Sequence, residues 1–302
     1  MQNILLSLFP LIAFIISGYV LKRSAFLHEG FWIGAEKLNY YFLFPAMLFA
    51  NLASATIEIE MVKSIVMMLL VMLLLLILVL YLCKYFLNIP PSRFGVYVQS
   101  NVRFNTYMGL AIVASLFPQQ GMTLFAILLA ISIPIVNVIS VISLTEKEGM
   151  QVKTILLSLI KNPLIMSCLL GALFNLAGFS LWSAVKVYLQ QLAVCSLPLG
   201  LMCIGAALQF LALKKDLTPL LLNTLSRLLI IPLLAYSVAI WLDLSVLETQ
   251  IFVIYFALPT ASASYILTKV LGGDSQLMAG VISLQTLCSA ITLTFVLMFI
   301  GS

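Results

Sequence analysis

Apolar runs of about 20 residues follow one another along nearly the whole chain, more than any soluble fold can bury. Each run, wound as a helix rising about 1.5 Å per residue, can cross a hydrocarbon core of roughly 30 Å. The run from Ile65 to Tyr81 is apolar on every face, which excludes the period-two alternation of a membrane β-barrel. Composition agrees. Of 302 residues, 63% are hydrophobic and 8% charged, against roughly 25% charged in ordinary soluble domains. The formal charge of +5 is scattered over segment ends and gives no nucleic-acid signal.

The chain therefore reads as an all-α membrane protein of ten transmembrane helices. Charge and turn residues place them near 3–22, 31–54, 61–86, 93–117, 120–145, 155–177, 182–211, 219–242, 247–270 and 274–300. The first segment lacks a basic start and a small-residue cleavage site, so it is expected to be a retained helix. Orientation follows from Lys and Arg, which stay on the cytoplasmic side. With both termini outside, the inner side carries Lys22, Arg23, Lys37, Lys84, Arg93, Lys147, Lys153, Lys161, Lys214, Lys215 and Lys269. The outer side keeps only Lys63 and Lys186, and Arg103 and Arg227 fall within the membrane.

The two halves resemble each other at a near-constant offset. ILLSL at Ile4 recurs at Ile155, and Pro10-Leu11-Ile12 recurs 153 residues later as Pro163-Leu164-Ile165. Gly18 maps to Gly171 and Pro45 to Pro198 at that same spacing. Five helices are an odd number, so the second copy must enter the membrane from the opposite side. The expected organisation is a first repeat over 1–145, a cytoplasmic linker over 146–154 and a second, inverted repeat over 155–302. Such 5+5 repeats are widespread among secondary transporters, whose sites lie at the midplane where helices are interrupted.

Each half offers one interruption. Helix 4 carries QSNVRFNTYMG over 99–109, the most polar stretch inside any segment. Counted from Arg93, Arg103 lies roughly 15 Å deep and Asn105 roughly 18 Å. Helix 9 carries ALPTASASY over 257–265, with Pro259 roughly 16 Å deep from the opposite face. The repeat register sets Pro259 against Thr106, so depth and register point to one crossing. Proline unwinds a helix, and each freed half-helix N-terminus carries about half a positive charge. Arg103, Asn105, Thr106, Tyr107, Pro259, Thr260, Ser262 and Ser264 are the candidate substrate-binding residues, with Gly109, Pro45 and Pro198 as crossing or hinge positions. The site is electropositive and suits a small carboxylate. Proline kinks and Ser/Thr bonds within a helix also occur without any ligand role. Arg103 is central, where an arginine costs roughly 2.5–3.5 kcal/mol and must face protein or water. Arg227, about 13 Å from its cytoplasmic end, is expected to snorkel to the interface.

All ten acidic residues fall in loops or near segment ends, so no central carboxylate is expected. Cys83, Cys168, Cys195, Cys203 and Cys288 lie in apolar segments without a Cys-x-x-Cys pair, and His28 lies in a loop. No metal site, cofactor or disulfide is expected.

Several motifs resemble one family. GY at Gly18 with Lys22-Arg23, FPAMLF from Phe44, and RFNTYMGL from Arg103 are similar to segments of the auxin efflux carrier family, within the bile/arsenite/riboflavin transporter superfamily. KNPLI from Lys161, LPL from Leu197 followed by IGAAL from Ile204, and PTASASYIL from Pro259 with Gly272-Gly273-Asp274 continue the resemblance in order. The family includes plant auxin carriers, which have proline where this chain has Phe104, and bacterial malate and malonate transporters. The resemblance implies a scaffold of helices 1, 2, 6 and 7, a moving domain of helices 3–5 and 8–10, elevator-type exchange and a homodimer, in the inner membrane.

The expected function is a carrier of small mono- or dicarboxylates embedded in membrane lipid. A sodium-coupled symporter of the bile-acid type is an alternative, with Gln99, Asn101 and Ser132 as its oxygen ligands. A non-transporting sensor remains open. An intramembrane enzyme is disfavoured, because no Ser/His pair, His-His-Asp set or paired carboxylates lie within the membrane segments.

Overall fold

The computed structural model describes residues 2–55, 58–144, 162–208 and 217–300, which form helices and short turns, with no strand among the described residues. In lipid no water satisfies backbone N–H and C=O groups, so an apolar chain closes its hydrogen bonds within each helix. Five helices are long and apolar enough to cross a membrane: Ile59–Leu87, Gln120–Leu144, Ser183–Ala207, Leu217–Trp241 and Ser275–Ile300.

In chain order the elements are α1 (Gln2–Arg23), α2 (Glu29–Leu38), a π-helical turn (Asn39–Leu43) and α3 (Phe44–Ala53). Next come α4 (Ile59–Leu87), α5 (Pro91–Val102), α6 (Thr106–Leu116) and α7 (Gln120–Leu144). The second half has α8 (Pro163–Leu176), α9 (Ser183–Ala207), α10 (Leu217–Leu225), a second π turn (Ser226–Ile230) and α11 (Ile231–Trp241). It closes with α12 (Val246–Ala257), α13 (Ala263–Val270) and α14 (Ser275–Ile300). The linker expected over 146–154, the start of the sixth segment and the end of the seventh lie outside the described residues.

Two long crossings hold the first and second halves together: α1 packs along α9, and α3 along α8. Both need a glycine. A Cβ on Gly18 would collide with the Met202 carbonyl, and one on Gly171 would stand 2.9 Å from the Phe49 carbonyl oxygen. The two contacts have one form, for Gly171 follows Gly18, and Met202 follows Phe49, by the same 153 residues. α5 packs on α7 and α12 on α11, bringing the two broken segments into the centre of the molecule. One apolar core runs through all of these, from Leu48 and Met68 to Phe125, Phe252 and Leu258.

At the corners, polar groups fix chain direction. A Ser245–Glu248 capping box starts α12. Asp274 caps α14 through the Leu277 N–H at 2.9 Å and pairs with Arg93 at 3.3 Å, tying the start of α5 to the start of α14.

Candidate functional site

Both segments expected to break do so. α5 ends at Val102 and α6 begins at Thr106, with Arg103 and Asn105 extended between them. α12 ends at Ala257, Leu258 is extended, and α13 starts at Ala263. The breaks touch: the Asn105 N–H donates to the Pro259 carbonyl at 2.7 Å. A two-residue backbone contact thus joins positions about 150 apart in sequence.

The crossing has two faces, because a broken helix frees N–H groups on one side and carbonyls on the other. On the first face lies a pocket of about 150 Å³. Arg103, Asn105, Thr106, Tyr107 and Ser262 line it, with Tyr40, Asn137 and Asn162. Three helix N-termini meet there. Asn105 caps α6, its side chain accepting from the Met108 N–H at 3.2 Å. Asn162 caps α8, accepting from the Leu164 and Ile165 N–H groups at 3.0 and 3.3 Å. α13 begins beside Ser262, whose side chain makes no cap. Each terminus contributes about half a positive charge, and the half-buried Arg103 adds a full one. Among the described residues its guanidinium has no hydrogen-bond partner; its electrostatic neighbour is Tyr40. Tyr107 forms the wall, stacked on Phe44 with centroids 4.4 Å apart and planes 9° apart.

The second face is sealed. Arg227, expected to snorkel, is instead 0% exposed. Its Nη1 donates to the Asn101 carbonyl at 2.7 Å, its Nε to the Leu258 carbonyl at 2.8 Å and its Nη2 to the Tyr255 carbonyl at 3.4 Å. The residue belongs to the second π turn, where one extra residue per turn changes which side chains face inward. That register cannot be read from a 3.6-residue period.

The remaining expected residues sort between the faces. Pro259, Thr260 and Ser264 are buried behind the pocket. The Thr260 hydroxyl lies 2.9 Å from the Ser100 carbonyl and 2.7 Å from Gln285 Oε1, which also accepts the Thr260 N–H at 2.8 Å. Gln285 in turn donates to Asn223 at 2.9 Å. Thr260 therefore braces the break rather than lining it. Gly109 lets α6 approach the Phe125 ring and Leu258. Pro45 opens α3 directly after the first π turn, whereas Pro198 sits inside an uninterrupted α9.

Residues missed in the sequence divide by signal. Asn162 carried one, since Asn-Pro before an apolar run is a helix start. Tyr40, Asn137 and Gln285 carried none, since no cap, proline or other break marks them in their apolar segments. Glu36 was placed near a segment end, yet it lines the pocket mouth, because the vestibule reaches inward along α2. That vestibule, about 630 Å³, shares Glu36 and Ser262 with the pocket and carries Lys22 and Arg23. At the opposite ends of the helices a cavity of about 1300 Å³, lined by Glu58, Glu60, Lys186 and Glu248, shares no described lining residue with the pocket. Among the described residues no three His, Cys, Asp or Glu side chains group as metal ligands would.

A family model described as membrane transport protein matches residues 3–297 of the chain. No curated protein matches it.

Proposed function

Because the chain belongs to the membrane transport protein family, and so to transporters rather than enzymes, we propose that it is a secondary carrier of small organic anions, mono- or dicarboxylates of malonate or malate size. The carrying observation is the pocket: three helix N-termini, and one arginine without a hydrogen-bond partner among the described residues, around about 150 Å³. Helix N-termini are ready-made anion sites, so a pocket ringed by three of them suits a small acid.

The architecture we propose is ten spans in two inverted five-helix repeats. The paired contacts of Gly18 with Met202 and Gly171 with Phe49, related by one offset, support it. In this reading α1–α3, α8 and α9 form a scaffold, and the other helices form a domain that carries the crossing across the membrane as an elevator. Both termini lie outside a cell inner membrane, following the basic residues. The pocket then opens toward the cytoplasm, through the vestibule bearing Lys22 and Arg23. Pairing of scaffolds would give a homodimer.

A thermal-shift panel of small carboxylates on purified wild type and Arg103→Ala tests the reading. A ligand at 100 times its Kd stabilises by about 2.7 kcal/mol, and Arg103→Ala should stay folded while losing that shift. A panel without any response, or an Arg103→Ala protein responding like wild type, would defeat it.

A further inference from the structure

Breaking two helices at one depth frees carbonyls as well as N–H groups, and in a dry interior they need a positive charge. The C-terminal ends of α5 and α12 face each other, each carrying about half a negative elementary charge. Together they amount to about one negative charge. Carbonyls presented this way by half-helix ends are the chemistry that holds sodium ions in membrane carriers. Here Arg227 fills the place, reaching carbonyls of both ends: Asn101 from α5, and Tyr255 and Leu258 from α12. Among the described residues no carboxylate pairs with it, so its charge is balanced by these carbonyls. Ser226, from the same π turn, donates to Asn101 Oδ1 at 3.0 Å and fixes the neighbouring side chain.

We propose that Arg227 is a resident cation that replaces a coupling ion, so that the crossing assembles its substrate face without bound sodium. The inference rests on reading the crossing as the substrate site. A sodium ion would leave and return with each cycle and couple flux to its own gradient. A guanidinium held by the chain cannot leave. Flux is then driven by the gradient and charge of the anion alone. Of the three side chains that sequence offered as sodium ligands, Asn101 already gives its backbone carbonyl to Arg227 and its Oδ1 to Ser226.

The test compares purified wild type, R227K and R227Q in sodium chloride and in choline chloride. Wild type should have the same Tm and the same carboxylate affinity in both salts. R227K, which keeps the charge, should retain most of that stability. R227Q, which keeps hydrogen-bonding capacity but loses the charge, should melt about 5 °C lower or more. It should regain part of the loss when sodium or guanidinium ion at low millimolar concentration replaces choline. A wild type whose affinity falls tenfold in choline, or an R227Q protein as stable as R227K, overturns the proposal. If R227Q yields no folded protein, the wild-type salt comparison and R227K still decide. If no carboxylate binds wild type in either salt, the substrate reading has failed, while the cation response of R227Q still judges Arg227.

Discussion

Two arginines flank one crossing, a few residues from the same backbone breaks, and their surroundings are opposite. Arg103 stands among helix N-termini, half-buried, with no hydrogen-bond partner among the described residues and a pocket before it. Arg227 stands among helix C-terminal carbonyls, fully buried, with its guanidinium nitrogens bonded to three of them. The same residue type faces an open pocket in the first setting and is satisfied by carbonyls in the second. An arginine that faces a pocket with no hydrogen-bond partner among the described residues has its donors free for an anion that comes and goes. An arginine kept where the field is negative holds the structure together.

The contrast is broken most directly by deleting each charge in turn. Arg227→Leu leaves the carbonyls of Asn101, Tyr255 and Leu258 without their donor, and each buried acceptor left unmet costs about 1–3 kcal/mol. Low yield and a sharply lower Tm are expected. Arg103→Leu removes a charge that has no hydrogen-bond partner among the described residues and only Tyr40 as its electrostatic neighbour, so its Tm should match or exceed wild type while carboxylate binding is lost. Arg103→Lys should bind more weakly than wild type but better than Arg103→Leu, because an ammonium cannot reproduce a planar two-pronged contact. Equal losses of stability in Arg227→Leu and Arg103→Leu would erase the distinction.

Much of this crossing was legible in the sequence, and the reasons are local. Pro259 and the polar run 99–109 stand out against apolar helices, and both breaks occur where they mark them. Asn105 is expected at the site and is found there, while its role as the cap of α6 is added by the structure. Arg227 departs from the expected snorkelling because depth alone does not distinguish a snorkelling arginine from a buried one. Its direction is set by a π turn, whose extra residue leaves no trace in a hydrophobic period. Thr260 was assigned to the substrate because Ser and Thr beside a break suit that role; Gln285, 25 positions on, takes it instead, and a tertiary partner of that kind has no sequence signal.

Thr260 and Ser262 sharpen the comparison at smaller scale, two residues apart in one break. Thr260→Val removes a buried hydroxyl shared between Ser100 and Gln285, at about 1–3 kcal/mol for acceptors left unmet. The loss should appear in Tm, with affinity of the folded protein nearly unchanged. Ser262→Ala should do the reverse. Its hydroxyl makes no cap and faces the pocket, so a lost ligand bond of about 1 kcal/mol weakens affinity severalfold and leaves Tm alone. Paired melting curves and ligand titrations read both effects; a Ser262→Ala protein that loses stability but not affinity would move Ser262 to the bracing side.

The smallest expected effect concerns Glu36, the acidic side chain that lines the pocket mouth. Near an anion site its charge is a mild penalty, and Lys22 offsets it only in part, being paired with Glu29 at 3.2 Å. Glu36 is exposed and lines the vestibule. There a unit charge beyond contact distance is worth about 0.5 kcal/mol. Glu36→Gln should therefore tighten carboxylate binding by about two- to threefold. The gain should shrink as salt rises, since the screening length falls from about 30 Å at 0.01 M to about 3 Å at 1 M. Affinities of wild type and Glu36→Gln measured at both ionic strengths test the sign and its decay. The opposite sign would carry more weight than a null. A Glu36→Gln protein that binds more weakly would mean that the carboxyl group itself takes part, as a hydrogen-bond donor or as carrier of a proton that crosses with the substrate. The positive face of the crossing would then be only half of the site, and transport would follow pH as well as the gradient of the anion.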